Sequence, residues 1–250
     1  MIRFEHVTKQ LGGRNVLEDL SFEIVKGEIF AIVGPSGTGK SVTLKHMVRL
    51  LTPTSGAIWI DDTEVSALNG SALNNVRGRF GYLFQGGALL GWMTVAENIA
   101  LPLLENTKMS KDEIAKSVDE ALHLVGMGKD GDKLPSEISG GMQKRAGLAR
   151  AIVRRPEIVL YDEPTSGLDP VTARAIDKLI QNLNGELGIT SVVVTHDLQG
   201  ALLISDRIAM LTGGHFVEVS APKDFVATGQ PDVRHFLDAQ FISKKGIEGI

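Results

Sequence analysis

Three stretches of the chain predict an α/β protein with a mixed sheet. The apolar run Ile29-Phe30-Ala31-Ile32-Val33 leads into Gly34-Pro35-Ser36-Gly37-Thr38-Gly39-Lys40-Ser41, and a helical pattern begins at Val42. A second apolar run, Ile158-Val159-Leu160-Tyr161, ends in the paired carboxylates Asp162-Glu163. Between them, apolar residues over 86–155 recur at helical spacing with no strand-like run, which predicts a helical insertion in a strand-rich core.

The elements follow in order. Ile2-Arg3-Phe4-Glu5-His6-Val7 alternates as a strand does and stops at the turn pair Gly12-Gly13. Residues 16–24 predict an antiparallel partner, closed by Lys26-Gly27. After the glycine-rich loop and its helix, Pro53-Thr54-Ser55-Gly56 is a turn and Ala57-Ile58-Trp59-Ile60 a short strand. Residues 80–85 predict a strand that ends on Gln85. Helices are expected over 95–104, 114–125, 142–153 and 171–187, and a strand over 191–195. Residues 207–219, centred on Gly213-Gly214, form a hairpin pattern. The tail, about 222–250, is expected to be helical from Pro222 and to fray over 244–250. No repeat or heptad pattern is present.

Composition narrows the function. At 250 residues the chain can bury a large core, and its 43% hydrophobic and 22% charged content is that of a globular protein. A net charge of −4 gives no electrostatic reason to bind nucleic acid. With no cysteine there is no disulfide, thiolate metal site or cysteine nucleophile. No apolar run approaches the roughly 18 residues of a membrane span, and Met1-Ile2-Arg3-Phe4-Glu5 begins no signal peptide. A cytosolic chain whose membrane role comes through a partner is expected.

The loop at 34–41 is a G-x-x-x-x-G-K-S phosphate-binding loop in strand–loop–helix context. Its glycines let successive N–H groups converge on an anion, and the helix adds its positive end. Lys40 is expected to reach the β- and γ-phosphates of a nucleotide, and the Ser41 hydroxyl to ligate Mg²⁺. At the end of the second apolar strand, Asp162 can hold the same Mg²⁺, and Glu163 can orient or deprotonate an attacking water. Ser139-Gly140-Gly141-Met142-Gln143 opens a helix and offers a second anion site. Ser166-Gly167-Leu168-Asp169-Pro170 and Thr195-His196-Asp197 follow.

In this order the motifs resemble the ABC-transporter ATPase family over essentially the whole chain. Residues 34–41 match Walker A, Gln85 the Q-loop, 138–143 the signature, 160–163 Walker B, 166–169 the D-loop and His196 the switch histidine. The resemblance implies a single ABC ATPase domain over 1–250 and a head-to-tail homodimer. ATP would lie between Walker A of one chain and Ser139, Gly140, Gly141 and Met142 of the other, with Asp169 in the nucleotide-binding set. Gln85 would sense Mg²⁺ and the membrane partner and belong to both the metal and the catalytic set. His196 would contact the γ-phosphate beside Glu163.

Leu83-Phe84-Gln85-Gly86-Gly87-Ala88-Leu89-Leu90, Thr94-Val95 with Glu97-Asn98-Ile99-Ala100-Leu101-Pro102-Leu103, and Val233-Arg234-His235-Phe236-Leu237-Asp238 resemble the Mla/MCE-type phospholipid transport ATPases. That resemblance implies an integral-membrane permease and an MCE-domain lipid-binding protein as partners, and leaves open whether a small regulatory subunit joins them. It also implies a place on the cytoplasmic face of the inner membrane. An importer ATPase for amino acids or ions, and a soluble ABC protein acting on DNA or the ribosome, are the alternatives. The latter carries a long coiled coil or tandem ATPase domains, and neither pattern occurs here.

The chain departs from the family at Ile138 and Met142, where Leu and Gln are common, although Met is usual in the lipid subfamily. The adenine-stacking position falls on Leu11, and losing an aromatic there is worth roughly 0.5–1.5 kcal/mol. Val42 replaces a Thr. Trp59 and Trp92 are expected to pack and not to stack on a nucleotide, and His46 is expected to be structural. The Lys144-Arg145 and Arg154-Arg155 pairs are expected on a solvated helix face. The apolar cluster Leu89-Leu90-Gly91-Trp92-Met93 is expected to help form a docking surface for the permease over 85–104.

Overall fold

The computed structural model describes residues 1–240. The chain forms two compact units, one from Met1–Gly78 together with the chain from Thr190 onward, the other from Arg79–Ile189. The second unit is wider than the helical stretch 86–155, because it also takes in the strands and the long helix flanking that stretch.

The first unit begins with β1 (Ile2–Leu11) and β2 (Arg14–Ile24), an antiparallel pair. They are followed by β3 (Ile29–Val33), α1 (Lys40–Met47), β4 (Ser55–Ile60), β5 (Thr63–Glu64) and α2 (Gly70–Arg77). The second unit holds β6 (Phe80–Leu83), α3 (Val95–Asn106), α4 (Lys111–Leu124), α5 (Gly140–Ile152), β7 (Ile158–Asp162) and α6 (Pro170–Leu187). The chain then re-enters the first unit with β8 (Thr190–Thr195), α7 (Leu198–Ile204), β9 (Arg207–Thr212), β10 (His215–Ser220), α8 (Pro222–Ala227) and α9 (Pro231–Ala239).

In the first unit β2, β1, β4 and β5 make one antiparallel sheet. In the other sheet β3 runs parallel to β8 and β9, and β10 returns antiparallel on β9. All five residues of β3 and all six of β8 are buried, which is why both read as unbroken runs and not as alternation. Phe22 joins the two sheets: its ring lies 4.5 Å from Phe4, 5.8 Å from Phe30 and 4.9 Å from Phe216. Stacked and edge-on rings at these separations add to the burial of each side chain.

In the second unit β6 pairs parallel with β7, and α3, α4 and α5 pack together. Capping boxes start α3 (Thr94 with Glu97) and α4 (Ser110 with Glu113), so both helices begin at a sequence-encoded point. Helix α5 lies close on β6. A Cβ on Gly81 would come within 2.2 Å of the Ala151 carbonyl oxygen, and one on Gly147 within 2.7 Å of Leu83.

The strand expected over 80–85 ends at Leu83, and the chain turns there, with Gly87 N–H donating to the Phe84 carbonyl. Helices α2 and α7 had no expectation. Only Leu73 and Val76 of α2 are buried, too few to set a period, while α7 is buried on most sides. The fraying expected over 244–250 lies outside the described residues. Among the described residues no helix is long and apolar enough to cross a membrane.

Candidate functional site

In the first unit the glycine-rich loop leaves β3 at Gly34, whose φ of +147° favours glycine. A Cβ there would lie 2.3 Å from the Leu211 carbonyl oxygen on β9. Gly37 and Gly39 also have positive φ, at +82° and +102°. Pro35, Ser36 and Gly37 are exposed, Thr38 is half-buried, and its hydroxyl donates to the Pro35 carbonyl at 2.9 Å. Helix α1 opens at Gly39 without a side-chain cap. Its N-terminal end is therefore presented to the loop undecorated, as anion binding requires. Lys40 is buried, and its ammonium donates to the carbonyls of Gly34 at 2.8 Å and Pro35 at 2.9 Å, which fixes the cation over the loop. Ser41 follows on the same turn, half-buried. A loop that converges backbone N–H groups, a lysine cation and a helix N-terminus fits a polyphosphate.

The same unit carries Leu11 and His196. Leu11 closes β1 opposite Arg14 and is 43% exposed. His196 is exposed on the segment that joins β8 to α7. Asp197 N–H donates to Thr195 Oγ1 at 3.0 Å, and Asp197 Oδ1 caps α7 by accepting from Gly200 N–H at 3.0 Å. His46 on α1 is fully buried, with Nδ1 2.7 Å from the Val42 carbonyl, and burial holds its pKa below the usual value.

The second unit carries the carboxylates. Asp162 ends β7, and Tyr82 of β6 donates its hydroxyl to Asp162 Oδ2 at 3.3 Å. Burial, and then the negative charge of Asp162, push the Tyr82 phenol well above its usual range, so it stays a donor. Glu163 follows with φ +51°, a left-handed backbone that glycine favours and glutamate avoids. Its carbonyl oxygen accepts from Lys144 Nζ at 3.0 Å, from Ser166 Oγ at 3.0 Å and from Ser166 N–H at 3.3 Å. These bonds hold the strained peptide and with it the direction of the side chain.

Lys144 is therefore a correction: it is 4% exposed and belongs to the site, not to a solvated helix face. Burial lowers its pKa, while the charges of Glu163 and Asp162 oppose that shift. A run of two basic residues gave no sign of this, because the face of α5 turned inward is set by packing.

Ser139 caps α5 by accepting from Met142 N–H at 3.3 Å, with Gly140 exposed on the first turn. Gly141 is buried, and a Cβ on it would meet Thr172 Cγ2 at 2.6 Å. Asp169 caps α6, its Oδ1 accepting from the N–H groups of Val171 and Thr172, both at 3.0 Å. Hydrogen bonding to Thr172 lowers the pKa of the Asp169 carboxyl.

Gln85 is exposed, and the segment after it turns through positive φ at Gly86, Gly87 and Ala88. Arg150 of α5 pins that turn by donating to the carbonyls of Gly87 and Ala88, both at 2.8 Å. Asn98, fully buried, pins the next stretch. Its amide donates to the carbonyls of Leu90, Met93 and Thr94 and accepts from Leu90 N–H. Held between Arg150 and Asn98, Trp92 stands 79% exposed, which is against its serving as a plug that packs the segment into the domain. Trp59 is half-buried: its indole donates to Glu5 at 2.8 Å and Arg3 lies over the ring.

Among the described residues no group of three or more His, Asp and Glu side chains could hold a metal by itself. The oxygens that the sequence reading assigns to Mg²⁺ are the Ser41 hydroxyl in the first unit and the Asp162 carboxylate and Gln85 amide in the second. Hard oxygen donors in small number suit Mg²⁺, which keeps waters and takes its remaining ligands from substrate phosphates.

Residues 17–166 match the ABC transporter family. Over 246 residues, covering 98% of this chain and 71% of the relative, the chain is 43% identical to the probable ribonucleotide transport ATP-binding protein mkl of Mycobacterium leprae. It is 42% identical over 230 residues to the methionine import ATP-binding protein MetN of Carboxydothermus hydrogenoformans, covering 92% of this chain and 68% of that protein. The structure is similar to that of a dimeric ATP-binding cassette in a post-hydrolysis state bound to ADP and Pi. There the TM-score is 0.80 at 34% identity, over 89% of this chain and 99% of the other. It is also similar to cbiO1 of Clostridium perfringens, part of the transporter complex cbiONQ, with a TM-score of 0.84 at 29% identity over 96% of this chain and 94% of the other.

Proposed function

The chain belongs to the ABC transporter family and is an ABC-type ATPase that uses ATP and Mg²⁺. From that premise we propose that it drives a transporter moving phospholipids between the inner and outer membranes. It works as a head-to-tail homodimer, peripheral on the cytoplasmic face of the inner membrane. In this reading 1–250 is one ABC ATPase domain with a helical subdomain at about 86–155 and a tail from about 222. A permease holds the dimer, an MCE-domain protein carries the lipid, and a small regulatory subunit is a further partner.

Each motif has a task. Residues 34–41 wrap the phosphates, Lys40 holds the β- and γ-phosphates, and Leu11 lies against the base. Ser41, Asp162 and Gln85 would hold Mg²⁺, which would supply positive charge against the phosphate oxygens. Glu163 accepts a proton from, or aligns, the water that attacks the γ-phosphorus. His196 touches the γ-phosphate, and Ser139, Gly140, Gly141, Met142 and Asp169 serve the nucleotide of the partner chain.

The observation that carries the transport reading is the apolar surface directly after Gln85. Trp92 is 79% exposed on a segment held by Arg150 and Asn98, and Leu104 of α3 is 56% exposed. A large exposed ring held on a rigid segment suits a protein partner. The sequence patterns at 83–90 and 233–238 favour a lipid cargo, whereas the methionine-import relative favours an amino-acid importer as the second reading.

Purifying the chain from membranes with its partners, followed by lipid extraction of the complex, tests both. Phospholipid held by a permease–MCE complex supports the first reading, and a complex without lipid that binds methionine supports the second. Trp92→Glu is expected to release the chain from the membrane fraction. Retention of that variant at the wild-type level would contradict the docking surface.

A further inference from the structure

The tail pattern 233–238 has a structural consequence. Val233 and Leu237 of α9 are fully buried in one cluster with Leu198, Ala201 and Leu202 of α7 and with Phe225 and Val226 of α8. Arg234 ties α9 to α8 by donating to the Val226 carbonyl at 3.0 Å, and it pairs with Asp238 at 3.3 Å. Helix α9 is thereby fixed against α7, and its C-cap, Gln240, is delivered onto the segment that carries His196.

The Gln240 side chain brackets that segment. Its Nε2 donates to the His196 carbonyl at 2.8 Å, and its Oε1 accepts from Leu198 N–H at 3.1 Å. The orientation of the amide is dictated, because a carbonyl can only accept and a backbone N–H only donate. Bonding the carbonyl of one residue and the N–H two residues on is what a neighbouring parallel strand does to an extended chain. Here one side chain does it, on the two sides of Asp197. The peptides flanking His196 are thus held by Gln240 from outside the segment, by Thr195 from upstream and by the Asp197 cap of α7 from downstream.

We propose that Gln240 is a positioning residue for ATP hydrolysis, setting the backbone from which His196 reaches the γ-phosphate. The proposal rests on the assignment of His196 given above. The tail of the chain then acts on the rate through one amide, while α9 keeps its place through Val233, Leu237 and Arg234.

The full chain, with its partners, is assayed as Gln240→Leu, Gln240→Glu, His196→Ala and the double variant Gln240→Leu/His196→Ala. Gln240→Leu removes both bonds. Gln240→Glu keeps the size but turns an acceptor toward the His196 carbonyl. Each is expected to lower kcat about tenfold, the size of one to two lost hydrogen bonds, with KM for ATP changed less than about twofold. In the His196→Ala background, Gln240→Leu is expected to cost nothing further, because the group it positions is gone. A merely structural Gln240 would multiply its cost onto His196→Ala, and that result overturns the proposal. Wild-type kcat in both Gln240 variants beside a slow His196→Ala also overturns it, and leaves the role of His196 standing. Wild-type kcat in His196→Ala overturns the reading on which the proposal rests.

Discussion

Glu163 sits in a left-handed backbone held through its carbonyl by Lys144 and Ser166. A strained residue fixed this firmly at the end of a buried strand suits a group whose direction matters more than its mobility. Glu163→Gln keeps the shape and removes the charge, so hydrolysis should fall at least about 100-fold while ATP binding survives. Phosphate release and equilibrium binding read the two quantities separately. Lys40→Ala should differ in kind, since its ammonium is fixed over the phosphate loop and its loss weakens ATP binding itself. An equal loss of binding in both variants would contradict the division of labour. The loop and the two carboxylates were legible in the sequence because each motif is contiguous and its chemistry follows from residue type. Lys144 and Arg150 were not, because their partners Glu163, Gly87 and Ala88 lie 19 to 63 residues away, and Asn98 was not, because an asparagine's type does not reveal that it is buried and bonded to Leu90, Met93 and Thr94.

Helices differ in how plainly they are written. Helices α3 and α4 carry capping boxes and amphipathic periods, whereas α7 is short and buried on most sides, with no period to read. Helix α6 hides a titrating group: Asp177 is 3% exposed and paired at 3.3 Å with Arg174. Burial raises its pKa to about 6, with Arg174 pulling the other way. The folded chain therefore holds a proton that the unfolded chain releases between about pH 4 and 6, so this group's contribution to stability falls as pH rises through that window. Asp177→Asn removes the titration. Its unfolding free energy relative to wild type, read from denaturant titrations, should be higher at pH 8 than at pH 4.5 by on the order of 2 kcal/mol. A difference independent of pH would show that Asp177 does not change its proton there.

The antiparallel N-terminal strands, the strands β3 and β8 and the β9–β10 hairpin could be read from alternation, apolar runs and Gly13 or Gly213 turns, whereas the parallel pairing of β3 with β8 and β9 came from the structure. The cargo is suggested only by the resemblance of 83–90 and 233–238 and not by any residue whose chemistry selects it. In the proposed head-to-tail dimer one chain is incomplete, with the phosphate loop and Ser139-Gly140-Gly141 serving different nucleotides. Gly140 is the place to test this, because a Cβ there meets Leu168 only at 3.7 Å, whereas one on Gly141 would clash with Thr172 at 2.6 Å. Gly140→Asp sets a carboxylate against the partner's phosphate without disturbing its own fold. The deciding measurement is the ATP trapped by dimers in the Glu163→Gln background, when a chain carrying Lys40→Ala is mixed with one carrying Gly140→Asp. With sites shared head to tail, neither variant alone traps ATP and the mixed dimer traps about one ATP per pair of chains. No trapped ATP in the mixed dimer, or full trapping by either variant alone, would contradict the shared site.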